Sequence, residues 1–275
     1  MNKNRNFLFH LYMALFLLYL LVPLLVMGGA AFNDSKLPTI FPWKGMTNKW
    51  FIALWHDDRI WIALRNTFLV ALAVVAMSVP IGTAGAILIN SISGRIRALL
   101  YGLMVAPILI PGVVIGISTL LFWNNLSVGS GLHLSVLGQV SYIASFVMLL
   151  VLARLQSFDG VLEEAALDLG ATHAQIMRRI LLPHLYPAIG AGAAISFFQS
   201  IENFNVTLFT RGGADTLTVY VFSKVRSGIT PTINALALLL ITLTLLLAFW
   251  YELARRRRES IAAAQEAEAR RAEAL

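Results

Sequence analysis

Between Phe7 and Phe32 the chain carries no Asp, Glu, Lys or Arg. An apolar run of that length can cross the ~30 Å hydrocarbon layer of a bilayer as one helix. Similar runs recur at about 62–89, 98–123, 136–155, 188–209 and 231–251, with short polar stretches between them. Lipid offers no partner to a backbone N–H or C=O, so runs of this length are read as helices that bond internally. Composition agrees. The chain of 275 residues is 58% hydrophobic and only 13% charged, with mean hydropathy +0.76, too apolar for a soluble domain of that size. The reading is an all-α membrane protein with six transmembrane helices in one domain, residues 1–260, and a tail, 261–275. That tail is rich in Ala, Glu and Arg, and either a helix continuing into water or a disordered segment fits it.

Charge sets the sidedness. Lys3 and Arg5 precede the first run, Arg95 and Arg97 lie in an acid-free loop after the second, and Arg255–Arg258 follow the sixth. Basic residues collect on the cytoplasmic side, so both termini and the segment 158–187 are expected inside. The basic start and Gly28-Gly29-Ala30-Ala31 imitate a signal peptide, but the run is longer than a signal core and reads as an uncleaved span. Residues 33–61, 124–135 and 210–230 fall outside. The first of these holds Trp43, Trp50, Trp55 and Trp61, which suit a membrane interface. The formal net charge of +7 has this membrane reason and does not point to nucleic acid. With no cysteine, no disulfide or thiolate metal site is possible. His10, His56, His133, His173 and His184 are scattered without metal-ligand spacing. No phosphate-cradling Gly-x-x-x-x-Gly-Lys-Ser/Thr occurs, nor any nucleophile or metal-protease motif. Catalytic residues, metals and cofactors are therefore not assigned to this chain.

The segment 158–187 is the one long polar island among the spans. Asp159 is placed to cap a first helix, with Glu163 and Glu164 in its opening turns. Leu162, Ala165, Ala166 and Leu169 form a narrow apolar face. Gly170 suits the left-handed residue that ends a helix. Thr172 with Gln175 makes a capping box for a second helix, which carries Arg178 and Arg179 in its last turn and stops at Pro183 and Pro187. Two helices this short gain stability by packing, so the island reads as a docking element.

Glu164-Ala165-Ala166, three residues, Gly170, nine residues and Ile180-Leu181-Leu182-Pro183 resemble the EAA signature of ATP-binding-cassette importer permeases at every fixed position and both gaps. The resemblance implies the type I importer fold with cytoplasmic coupling helices, in a bacterial inner membrane. It implies a second permease subunit, usually a different chain, two ATPase subunits that bind ATP and Mg, and an extracytoplasmic substrate-binding protein. It puts energy coupling on Glu164, Ala165, Ala166 and Gly170, with Ile180, Leu182 and Pro183 holding the element's shape.

Two features concern what crosses. The third run contains Pro107, Pro111 and Gly112, which kink or break a helix; lipid tolerates that only where protein or a cavity satisfies the freed backbone. The fifth opens with closely spaced small residues suited to tight helix packing and then holds Glu202, the only acid within an apolar run. A carboxylate in hydrocarbon costs several kcal/mol, so Glu202 is expected on a polar pathway, with a helix-packing role as the alternative. Asn203 and Asn205 are candidates for bonds to neighbouring helices, and Trp123 and Tyr142 read as interfacial aromatics rather than ligand-stacking rings. Ser200-Ile-Glu-Asn-Phe204, Phe209-Thr-Arg-Gly212, Tyr220, Ser223 to Pro231 and Ile233-Asn234-Ala235-Leu236 resemble the second permease of spermidine/putrescine importers. That resemblance implies Ser200, Glu202, Asn203 and Phe204 as substrate-pathway residues and a polyamine as cargo. Those relatives commonly carry two adjacent acids where this chain has Glu202-Asn203. A smaller amine, an amino-acid-like molecule or another organic cation stays open, as does a stand-alone secondary transporter, which would need midplane ion-coupling groups on paired repeats.

Overall fold

The computed structural model describes residues 3–228 and 230–273. Ala274 and Leu275 of the expected tail and Ile229 of the Ser223–Pro231 stretch lie outside them. The described residues form twelve helices and one π turn, with a single isolated bridge between Asn33 and Met46. Five helical stretches are each long and apolar enough to cross a membrane: Phe7–Phe32, Asp58–Ser91, Leu132–Leu155, His173–Ile201 and Pro231–Ser260. The chain divides into two compact units, Met1–Asp57 with Lys224–Leu275, and Asp58–Ser223.

In the unit of the chain ends, α1 (Lys3–Phe32) packs on α12 (Pro231–Glu273), which also touches the short α2 (Lys49–Trp55). The loop between α1 and α2 is built on Asn33, which is fully buried. Its amide donates to the carbonyls of Thr39 at 2.8 Å and Pro42 at 3.1 Å and accepts from Lys44 N–H at 2.8 Å. Trp50 Nε1 donates to its backbone carbonyl at 2.9 Å. The helical form of the tail is present: α12 is one helix of 43 residues, about 64 Å long, roughly twice the ~30 Å hydrocarbon layer.

In the other unit, α3 (Asp58–Ser91), α6 (Leu132–Leu155) and α9 (Leu182–Ile201) form the central bundle. Ile89, Val147, Met148, Val151 and Leu185 close its core toward one end, and Val70, Val74, Val140 and Ile143 toward the other. The α3–α6 contact is close because Gly82 has no side chain. A Cβ there would sit 2.5 Å from the Ala144 carbonyl oxygen and 2.6 Å from Val147 Cβ.

Two expectations are corrected and one is made definite. The third run, expected to kink or break, breaks: α4 (Gly94–Leu109) and α5 (Gly112–Asn125) meet at a 105° bend. Pro107 and Pro111 remove two donors and clash with the preceding turn within five positions, enough to part the helix. The fifth run breaks as well, into α9 and the short α10 (Asn205–Thr210). Pro183 and Pro187 do not stop a helix. From α8 (His173–Ile176) the chain passes through a π turn, Met177–Leu181, straight into α9. The π turn resets the bonding so that Pro183 falls in the first turn of α9, where a missing N–H costs little. Arg178 and Arg179 consequently lie in the π turn rather than at a helix end.

Candidate functional site

The two breaks face each other. A Cβ on Gly112, at the start of α5, would lie 3.1 Å from Cβ of Asn205, at the start of α10. Between them opens a cavity of about 450 Å³. Ile108, Ile110 and Ile115 supply apolar wall from α4 and α5, Tyr142 and Phe146 come from α6, and Gln199, Glu202, Asn203, Phe204 and Asn205 come from the α9–α10 break. Glu202 is the residue at which α9 ends, and its side chain is exposed. Among the described residues its carboxylate makes no hydrogen bond or ion pair. A charge of this kind is tolerated at membrane depth only where it meets water or a partner, and the cavity offers that room.

The break is held by a ladder of side-chain hydrogen bonds. On α6, Ser135, Gln139 and Tyr142 stand four and then three residues apart, on one helix face. On the facing strip Thr210, Thr207 and Asn203 run in the opposite direction, three and then four residues apart. The rungs are Ser135 to Thr210 at 2.9 Å, Gln139 Nε2 to Thr207 Oγ1 at 2.9 Å and Asn203 Nδ2 to the Tyr142 hydroxyl at 2.7 Å. Ser200 Oγ donates to Gln139 Oε1 at 2.6 Å. Asn203 Oδ1 accepts from the backbone N–H of Val206 at 3.2 Å and of Thr207 at 3.3 Å, which satisfies the free donors at the start of α10. Such buried groups are costly unless paired, so the ladder both permits the break and fixes its register.

Of the four expected pathway residues, Glu202, Asn203 and Phe204 line the cavity, while Ser200 is buried in the ladder behind it. Tyr142, expected as an interfacial aromatic, is a wall residue of the cavity and is tied to Asn203. Gln139, Phe146 and Gln199 carried no expectation. The polar spacing Ser135, Gln139, Tyr142 within an apolar run was the one visible signal, and it pointed to Gln139 alone.

The second candidate site is the polar island. Asp159 Oδ1 accepts from Val161 N–H at 3.0 Å at the start of α7 (Val161–Asp168). Gly170 has φ of +82° and closes α7: its N–H reaches Leu167 O at 2.8 Å and that of Ala171 reaches Ala166 O at 2.9 Å. This is the left-handed cap that glycine adopts without strain. Thr172 and Gln175 form the reciprocal capping box of α8. No residue of α7 is buried. Leu169 is 89% and Leu162 53% exposed, so the apolar face is uncovered, with Glu164 and Ala165 exposed beside it and Ala166 half-buried. Ile180 and Leu182 are half-buried at the root of the element and Pro183 is exposed. Arg154 Nε donates to the His184 carbonyl at 3.1 Å and His184 Nε2 to the Arg154 carbonyl at 3.3 Å, which ties the two roots of the island together.

Residues 78–260 match the family described as binding-protein-dependent transport system inner membrane component. The chain is 32% identical over 254 residues to the putrescine transport system permease protein PotI of Escherichia coli, spanning 88% of this chain and 89% of that one. It is 30% identical over 230 residues to the spermidine/putrescine transport system permease protein PotC of the same species, spanning 83% and 86%. Among solved structures it is similar to a chain of a bacterial ABC transporter that imports the acidic polysaccharide alginate, with TM-score 0.73, 14% identity and coverage of 90% and 96%. An amino acid ABC transporter with histidines gives TM-score 0.54 at 20% identity, with coverage of 72% and 94%. At such identities the structures speak for the fold.

Proposed function

The chain belongs to the family of binding-protein-dependent transport system inner membrane components, and from that premise we propose that it is the permease subunit through which an ATP-driven importer moves a small organic amine of the spermidine/putrescine class. As an ABC importer permease it is a multi-pass inner-membrane transport subunit rather than an enzyme. The observation that carries the amine reading is the cavity at the paired helix breaks. Its wall presents one carboxylate, Glu202, together with the rings of Tyr142, Phe146 and Phe204 and the amides of Gln199 and Asn205. A carboxylate attracts an ammonium, aromatic faces attract it further, and amides accept its remaining hydrogens. The names of the relatives at 32% and 30% identity support the same cargo.

In this reading residues 1–260 are the transmembrane domain and 261–275 a cytoplasmic tail, with both termini inside. The chain pairs with a second permease, a different chain of the same fold, receives cargo from an extracytoplasmic binding protein, and carries no cofactor of its own. Two ATPase subunits bind ATP and Mg. The island 158–187 docks on one of them through Glu164, Ala165, Ala166 and Gly170, while Ile180, Leu182 and Pro183 hold it to α9. Uncovered α7 supports this: Leu162 on it and Leu169 at its end stand exposed, and no residue of α7 is buried. ATP-driven closure of the ATPase pair then moves the islands and turns the cavity outward, and hydrolysis resets it.

A second reading has its own observation. Asn203 stands where the polyamine relatives commonly have another acid, and its amide is committed to Tyr142 and α10. A single carboxylate favours a cargo with fewer ammonium groups than spermidine, or another small organic cation. Uptake of labelled putrescine and spermidine in cells lacking the chain, restored with wild type or Glu202→Gln, separates these. Energy-dependent uptake by wild type, lost in Glu202→Gln at equal membrane level, supports the amine reading. Restoration of neither amine while an ATPase still copurifies removes the substrate and leaves the permease.

A further inference from the structure

The ladder fixes the direction of a proton. Asn203 Oδ1 faces two backbone N–H groups, of Val206 and Thr207, which can only donate. The orientation of the Asn203 amide is therefore settled without locating any hydrogen, and Nδ2 is the atom that meets the Tyr142 hydroxyl at 2.7 Å. An amide nitrogen donates and cannot accept. Tyr142 must accept this bond, so its own phenolic proton points elsewhere. The hydroxyl group belongs to the wall of the cavity that Glu202 also lines, and these two are the titratable groups among the lining residues. A committed donor lacking an acceptor and a carboxylate lacking a donor thus share one space. We propose that Tyr142 is a positioning residue for Glu202: its hydroxyl, locked as a donor by Asn203, captures the carboxylate once the exposed Glu202 side chain swings toward it, and holds the anion in the cavity for an incoming ammonium. The role for the ammonium rests on the amine reading above; the hold on Glu202 does not.

Carbodiimide labelling of Glu202 in the purified, substrate-free importer, followed by mass spectrometry across pH, tests the hold without any transported substrate. The reagent adds to a protonated carboxyl. The bond that Tyr142 donates to the carboxylate is absent in Tyr142→Phe, whose labelling profile therefore departs from wild type. Thr207→Val weakens the same ladder and removes a third donor to Asn203 Oδ1, the Thr207 hydroxyl at 3.3 Å, but leaves the two backbone donors that fix the amide, and its profile stays with wild type. An unchanged or flat Tyr142→Phe profile overturns the proposal, and so does an equal shift in Thr207→Val, which assigns the effect to loosening. In uptake assays, Tyr142→Phe raises KM for putrescine about tenfold, the loss expected for one hydrogen bond to a charged group, with the maximal rate within about twofold. A shifted profile with no amine uptake by wild type sinks the substrate reading and keeps the role of Tyr142. Normal uptake with an unshifted profile does the reverse.

Discussion

Gly82→Ala sets two effects of known size against each other. Alanine is favoured over glycine in a helix interior by about 1 kcal/mol. The added Cβ, however, would lie 2.5 Å from the Ala144 oxygen, 2.6 Å from Val147 Cβ and 2.9 Å from Met148 N. Ordinary contact needs about 3.5 Å, so α3 and α6 must part by about 1 Å. Two of the three obstructing atoms are backbone and cannot rotate away. Overpacking of this kind costs about 1–3 kcal/mol, and the rigid obstruction places it at the upper end, for a net loss of about 2 kcal/mol. Gly190, in the interior of α9, is the matched control: no heavy atom lies within 4 Å of its would-be Cβ. The chain has six tryptophans, so a fluorescence melt in detergent reads both variants. Gly82→Ala lowers Tm by roughly 4–8 °C, and Gly190→Ala leaves it level or slightly raised. Equal shifts in the two, or a Gly82→Ala protein as stable as wild type, would refute the packing argument.

Other variants probe the island and the α1–α2 loop. Gly170→Glu forces a side chain into φ of +82°, costing about 1–2 kcal/mol locally; the protein stays in the membrane while ATP hydrolysis by the importer no longer drives uptake, and normal transport would sink the docking role. Thr172→Ala removes the capping box of α8 at about 1 kcal/mol, seen as faster amide exchange confined to residues 172–176. Asn33→Ala leaves several buried backbone groups unpaired, at about 1–3 kcal/mol, and opens residues 34–46 to proteolysis while the bundle of α3, α6 and α9 keeps its protection.

The spans and the island were legible in the sequence because their causes are local. Uncharged runs report lipid directly, and Asp159, Gly170 and the Thr172–Gln175 pair act within a few residues of themselves. The bend at Pro107–Pro111 was legible as a break but not as an angle, which neighbouring helices decide. Pro183 misled because the π turn that makes room for it has no residue signature, and Pro187 because it is carried inside α9. The break at Glu202–Phe204 holds neither proline nor glycine; it exists because Asn203 and Tyr142, 61 residues apart, bond across the bundle. Tyr142 was missed for the same reason, since its partner is set by helix pairing and not by its own neighbours.

The central claim is that cargo passes through the cavity as a cation beside Glu202. The natural chain has no cysteine, so Gln199→Cys places one thiol on the cavity wall. Its reaction with a cationic and an anionic methanethiosulfonate of equal size can be timed in the reconstituted importer, with and without putrescine. The account predicts faster reaction with the cationic reagent, a preference that disappears in Glu202→Gln, and protection by putrescine. Equal rates for both reagents with no protection would contradict it.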